Sequence, residues 1–202
     1  MRQLKTRGII LSCSNYKEVD KIFKIFTLEK GKIICFGKSL RSSNFSKRAS
    51  SLDTLNYVNL LLNKSNDFYY IKECVVLDNF SKIKKNYKTL KEVISVFEII
   101  DAVFGGEQEE EYSFKSLLTF LHLFNTSPKK SLIYNFVFNT FKQQGMLSEK
   151  NFLTYQSLLK NVDKISNIQE PVNLKKAIFK LDNFYKDMIK IVLEKQIISH
   201  TY

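Results

Sequence analysis

The sequence predicts an α+β protein, an N-terminal five-stranded OB-fold β-barrel followed by an all-α helical domain. Three observations predict it. Over the first eighty residues, short apolar and alternating runs are separated by turn residues, as in half-buried strands. After Phe80 the apolar spacing becomes that of amphipathic helices. With 202 residues, 44% hydrophobic, two prolines and six glycines, the chain is large enough for a true core and too apolar for a disordered polymer.

The strands come in order. Residues 4–13 are mostly apolar after a basic start. In residues 19–26, Val19, Lys21, Phe23 and Ile25 share one face. Residues 33–36 follow a turn at Lys30-Gly31. Residues 55–62 and 68–77 are rich in β-branched and aromatic side chains, and residues 63–67 between them have turn composition. Five short strands suggest a small closed barrel. The long polar excursion from Ser39 to Ser51 between strands three and four favours the OB form, with an SH3-like barrel as the alternative.

From Phe80 onward, Leu90, Val93, Ile94, Phe97, Ile100 and Phe104 line one helix face. Phe114, Leu117, Leu118, Leu121 and Phe124 repeat the pattern after a break at Gly105. A third helix over residues 130–144 ends at Gly145, and Ser148 with Asn151 can cap a fourth running to about Val162. A last long helix begins near Asn173, with Leu174, Ile178, Leu181, Tyr185, Met188 and Val192 on one side. The domains expected are therefore residues 1–79 and 80–202.

Charge points to polyanions. Thirty-two Lys and Arg against twenty Asp and Glu leave a net +12, and residues 1–80 hold fourteen cations against seven acids. Residues 82–91 carry five lysines and no acid, whereas residues 92–111 carry seven acids and no base. The acidic group Glu107, Glu109, Glu110 and Glu111 reads as a mobile solvated loop. Cys13, Cys35 and Cys74, with no CxxC, read as free structural thiols in a reducing compartment. The short apolar run near the N-terminus has no cleavage signature, and no stretch approaches the roughly 20 apolar residues of a membrane span. A soluble, cytoplasmic protein with no membrane partner is expected.

Catalytic constellations are sparse. No GxSxG, HExxH, Walker A or GxGxxG occurs, and the two histidines are His122, in an apolar helical stretch, and His200. Glu18 and Asp20 would share a face on a strand, but a solvated turn preceding strand two is the preferred reading. No enzyme, metal or cofactor is expected. Binding chemistry is richer. Residues 37–48 combine Lys38, Arg41, Lys47 and Arg48 with small hydroxyl and amide side chains and Phe45. Cations of this kind neutralise phosphates, and an exposed ring stacks on bases. Lys84 and Lys88 would extend this surface from one side of the first helix.

Several runs, taken in order, resemble the bacterial DNA repair protein family RecO. They are Gly8-Ile9-Ile10-Leu11, then Tyr16-x-Glu18-x-Asp20-Lys21, then Phe26-Thr27-x-Glu29-x-Gly31-Lys32, and Gly37-Lys38 with Ser43 and Phe45 downstream. Leu60, Leu62, Ile71-Lys72-Glu73, Phe80 and Phe97-Glu98-Ile99-Ile100-Asp101 continue the likeness. So do Phe114-x-x-Leu117-Leu118-x-x-Leu121, the segment from Phe136 to Gly145, and Lys195-x-x-x-Ser199.

The resemblance implies a non-enzymatic recombination mediator associated with the nucleoid. Such a protein binds single- and double-stranded DNA, anneals complementary strands, and with RecR helps load RecA onto DNA coated by single-stranded DNA-binding protein. It also implies docking of that protein's acidic C-terminal tail on the helical domain, where Lys129, Lys130 and Lys142 beside Phe136 or Phe138 could form a pocket. Many members carry a four-cysteine zinc module after the glycine matching Gly145. Here the sequence continues Met146-Leu147-Ser148-Glu149, so no such site is expected and zinc-dependent docking is put in doubt. The rival readings are an RNA- or ribosome-associated OB protein, a nuclease using Glu18 and Asp20, and a protein-only adaptor.

Overall fold

The computed structural model describes residues 2–16, 18, 20–38, 51–66, 68–168 and 171–199. Five strands, β1 (Arg2–Tyr16), β2 (Asp20–Thr27), β3 (Gly31–Gly37), β4 (Tyr57–Ser65) and β5 (Phe68–Asp78), close a barrel in the order β1-β2-β3-β5-β4. All neighbours are antiparallel except β3 and β5, which pair in parallel at Cys35–Tyr69 and Phe36–Tyr70. This is the OB fold.

The 15-residue strand β1 closes the barrel because it serves two partners, its first half pairing with β4 and its second half with β2. Gly8 sits where the two ladders overlap, opposite both Thr27 and Val58. A β-carbon there would lie 2.6 Å from the Ile25 side chain, so the corner requires glycine. Alternation does the rest. Ile10, Phe23, Ile25, Ile33, Cys35, Val58, Leu60, Leu62 and Tyr69 point inward as one core.

Among the described residues after the barrel there are six helices: α1 (Ser81–Lys85), α2 (Tyr87–Val103), α3 (Glu111–Thr126), α4 (Lys130–Gln143), α5 (Glu149–Ile168) and α6 (Pro171–Ser199). The periodicity of the sequence anticipates all but α1. Asn86 separates α1 from α2 in an extended conformation, and its side chain accepts the amides of Lys88 and Thr89 as an N-cap. Lys84 and Lys88 therefore belong to different helices, not to one side of a single helix. Gly145 ends α4 with φ +67° and the Ser148 hydroxyl caps α5, both as expected. Ile178, placed by periodicity on one face of α6 with Leu181, Met188 and Val192, is 37% exposed, whereas those three are buried.

Packing divides the chain at Pro128, later than the change from strands to helices near residue 79. The first compact unit holds the barrel with α1–α3. Phe26, on the outer face of β2, is covered by Phe104 and Phe114 with ring centroids 5.0 and 6.3 Å away. The second unit holds α4–α6 around Phe138, which stacks on Tyr155 at 4.0 Å and on Phe184 at 5.7 Å. Among the described residues no helix is long and apolar enough to cross a membrane.

The acidic segment after α2 is solvent-exposed, as expected, but it is anchored to the barrel at Glu107. Glu107 forms a β-bridge with Gly31, whose φ is +60° and whose missing side chain leaves room for the Gln108 carbonyl; a β-carbon would come within 2.0 Å of that oxygen. Gly31→Ala therefore meets both backbone strain and a collision, and it should lower stability by about 1–3 kcal/mol in urea unfolding.

Candidate nucleic-acid interface

The outer faces of β2 and β3 change character along their length. Lys32, Ile34, Phe36 and Lys38 alternate outward from β3, opposite Phe26, Lys24 and Ile22 of β2. At one end Phe26 is sealed beneath α2 and α3. In the middle Lys24 donates to Asp101 Oδ2 at 2.5 Å, while Lys32 donates to Oδ1 at 3.0 Å and also to the Asp101 main-chain carbonyl. This double ion pair fastens the C-terminal end of α2 to the barrel. Beyond it the face is open.

At the open end three aromatic rings from β1 and β5 gather around Phe36 of β3. Tyr16 from β1 lies 5.4 Å away edge-on, Phe68 lies 5.5 Å away edge-on and Tyr70 lies 5.7 Å away, the last two from β5. Lys38 sets its ammonium 4.7 Å from the Tyr70 ring centroid. Phe68 is 50% exposed and Ile34 is 52% exposed, so the cluster faces water instead of a second layer. Both loops that flank it, between β1 and β2 and between β4 and β5, are the short connections beside the ligand-binding face of OB folds.

Next to the rings a cleft of about 360 Å³ runs between Ile34, Phe68 and Tyr69 on one side and Asp101 and Glu107 on the other. Glu107 accepts from the Tyr69 hydroxyl at 2.8 Å and from Lys64 at 3.1 Å. Partial burial pushes the Glu107 carboxyl up, but these two donors outweigh it and hold the group below its ordinary range. The same balance, burial against Lys24 and Lys32, leaves Asp101 below its ordinary range. Desolvation raises all three thiols, that of Cys74 to about 12, which makes them poor nucleophiles at neutral pH.

Of the residues singled out by sequence, Lys38 stands at this face. Arg41, Phe45, Lys47 and Arg48 lie outside the described residues. They belong to the connection between Lys38 and Ser51 in the sequence. Lys84 is tied to Asp53 at 2.6 Å and to Asn56 at 2.7 Å, and Lys88 is exposed on the first turn of α2. Glu18 sits in the turn before β2, so it and Asp20 do not stand side by side on one strand. His122 is half-exposed, 3.5 Å from Asp78 and edge-on to Phe80.

In the second unit, Lys129 precedes α4 and is exposed, Lys130 pairs with Asp182 at 3.3 Å, and Lys142 lies 4.0 Å over the Phe152 ring. Phe136 and Phe138 are interior side chains, so they cannot line a surface pocket with these lysines. Lys130 and Lys142 are moreover about 18 Å apart along the helix. The rings Tyr16, Phe36, Phe68 and Tyr70 were missed by sequence reading. Their signal is the i, i+2 spacing of Phe36 with Lys38 and of Phe68 with Tyr70.

A closed five-stranded barrel with an uncovered aromatic and basic face over strands two and three places the protein among OB-fold proteins. Residues 1–80 match the family model described as recombination protein O N terminal. The chain is 31% identical over 126 residues to the DNA repair protein RecO of Clostridium perfringens, a match covering 62% of this chain and 51% of that one. It is 27% identical over 132 residues to RecO of Acetivibrio thermocellus, covering 65% and 52%, and 26% identical over 145 residues to RecO of Streptococcus suis, covering 71% and 53%. The chain is thus similar to RecO, as its motifs indicate, and spans about half the length of the curated relatives it matches.

The depressed Asp101 carboxyl binds its proton less tightly folded than unfolded. Its contribution is complete above the ordinary value of 3.8 and is lost as the pH falls below it. Asp101→Asn should cost about 1 kcal/mol at pH 7, where solvent screens part of the pairing. Melting curves taken from pH 6 to pH 3 should show a shallower acid decline for the variant than for the wild type.

Proposed function

We propose that this protein binds single-stranded DNA through the open end of the β2–β3 face and acts in recombinational DNA repair as a non-enzymatic mediator. The observation that carries the reading is the Phe36-centred ring cluster with Lys38 against it. Stacking on aromatic side chains is indifferent to base identity because every base has a π-face, and cations beside the rings neutralise the backbone. The connection beginning at Lys38 brings Arg41, Phe45, Lys47 and Arg48 to the same strand as further contacts. Lys84 and Lys88 add charge from the helices, Lys84 while keeping its tie to Asp53.

In this reading the barrel, residues 1–79, is the DNA-binding domain and residues 80–202 the helical domain. The protein binds single- and double-stranded DNA and anneals complementary strands, a step that requires two mutually repelling polyanions to be neutralised together. With RecR it helps load RecA onto DNA coated by single-stranded DNA-binding protein. The tail of that protein meets the helical domain at Lys129, Lys130 and Lys142, with an apolar anchor other than the interior phenylalanines. Support comes from the similarity to RecO, from the +12 charge and from the OB barrel.

Phe36→Ala with Tyr70→Ala should weaken binding of a labelled oligo(dT) by about 5- to 150-fold, since a stacked base contributes about 1–3 kcal/mol. Wild-type affinity in that variant would end this reading, and stronger binding to oligo(rU) would turn it toward RNA. Arg41→Glu with Arg48→Glu should flatten the logarithmic salt dependence of binding by about 0.7 for each phosphate that is no longer neutralised. An unchanged slope would remove the loop from the interface.

A further inference from the structure

The second compact unit carries a charged face of its own. Residues 129–202 hold twelve lysines against six acids, a net +6, half the charge of the whole chain. The cations are not spread evenly on α6. An α-helix turns once every 3.6 residues, so Lys175, Phe179, Lys186 and Lys190 fall within a sector of about 60°. Leu181, Met188 and Val192, the buried residues, lie on the opposite side. No acidic residue falls in the sector itself. Lys175 and Lys186 have no ion pair among the described residues, and Lys190 reaches Glu194 only at 3.9 Å, with both side chains exposed.

In the middle of this sector Phe179 is 66% exposed, a phenyl ring left in water between lysines. Packing does not require it there, because the core of this unit is filled by Phe138, Phe141, Tyr155 and Leu181. A ring flanked by cations is the same combination that Phe36 and Lys38 present on the barrel. From Lys175 to Lys190 the stripe spans about 22 Å. Phosphates of one strand recur about every 3.4 Å along a duplex axis, so a backbone lying along the stripe meets several cations at once.

We propose that the Lys175–Lys190 face of α6 is a second nucleic-acid site that holds a phosphate backbone independently of the barrel. This rests on the reading of the barrel as a single-strand binder and deepens it. One chain then holds two strands, and each raises the effective concentration of the other. Annealing thereby becomes a property of two sites rather than of net charge.

The test titrates a short labelled oligo(dT) against the full chain and follows annealing of two complementary oligonucleotides. The wild type should bind two oligomers per chain. Lys175→Gln/Lys186→Gln/Lys190→Gln should bind one, with annealing slowed at least tenfold. Phe179→Ala, which removes no packed side chain, should weaken the second site by several-fold. Lys150→Gln/Lys160→Gln, an exposed pair on α5, should keep both sites. Wild-type stoichiometry and annealing in the triple variant, with binding still lost in the Phe36/Tyr70 variant, would overturn the α6 site alone. Wild-type binding in both variants would overturn the barrel reading with it. Matching melting temperatures exclude unfolding as the cause of any loss.

Discussion

The pairing of Lys24 and Lys32 with Asp101 decides how much of the barrel the helices cover. On one side of that clamp Phe26 is buried under Phe104 and Phe114, so the outer faces of the strands become core. On the other side the helices go no farther, and Phe36, Phe68 and Tyr70 remain against solvent. One row of outward side chains thus serves packing at one end and recognition at the other. Lys24 and Asp101 keep part of their hydration in this clamp, whereas Lys32 is largely covered and relies on the Asp101 carboxylate and main-chain carbonyl in place of water.

The acidic loop belongs to the same arrangement. Gly31 admits the Gln108 carbonyl, Glu107 accepts from Tyr69 and Lys64, and the loop closes the cleft beside the open face. An anion pinned there neutralises Lys64, while Lys38 at the end of β3 sets its charge against the Tyr70 ring. The electrostatics of the face are therefore local, set by which lysines already have partners.

Much of the fold was legible in the sequence because strand and helix periods are local properties. The alternation of Phe23 with Ile25, and the spacing of Val93, Phe97 and Ile100, report burial directly. The break at Asn86 was not legible, since a single capping side chain interrupts an otherwise continuous lysine-rich pattern. Neither was the anchoring of Glu107, which depends on the absence of a side chain at Gly31, 76 positions earlier. The binding face was half legible. The basic excursion from Lys38 stood out as a run, whereas Tyr16, Phe36, Phe68 and Tyr70 come from three strands and meet only when the barrel closes. Phe136 and Phe138 were misplaced for the opposite reason, as lysines close in sequence drew attention to rings that tertiary packing takes inside.

The central claim is that the uncovered end of the β2–β3 face is where a single strand lies. Titration of isotopically labelled protein with oligo(dT), followed by aromatic and amide NMR shifts, addresses it directly. The account predicts the largest shifts at Tyr16, Phe36, Lys38, Phe68 and Tyr70, with the covered Phe26 and Phe114 unmoved. Shifts concentrated elsewhere on the barrel, with the Phe36 cluster silent at saturation, would contradict it.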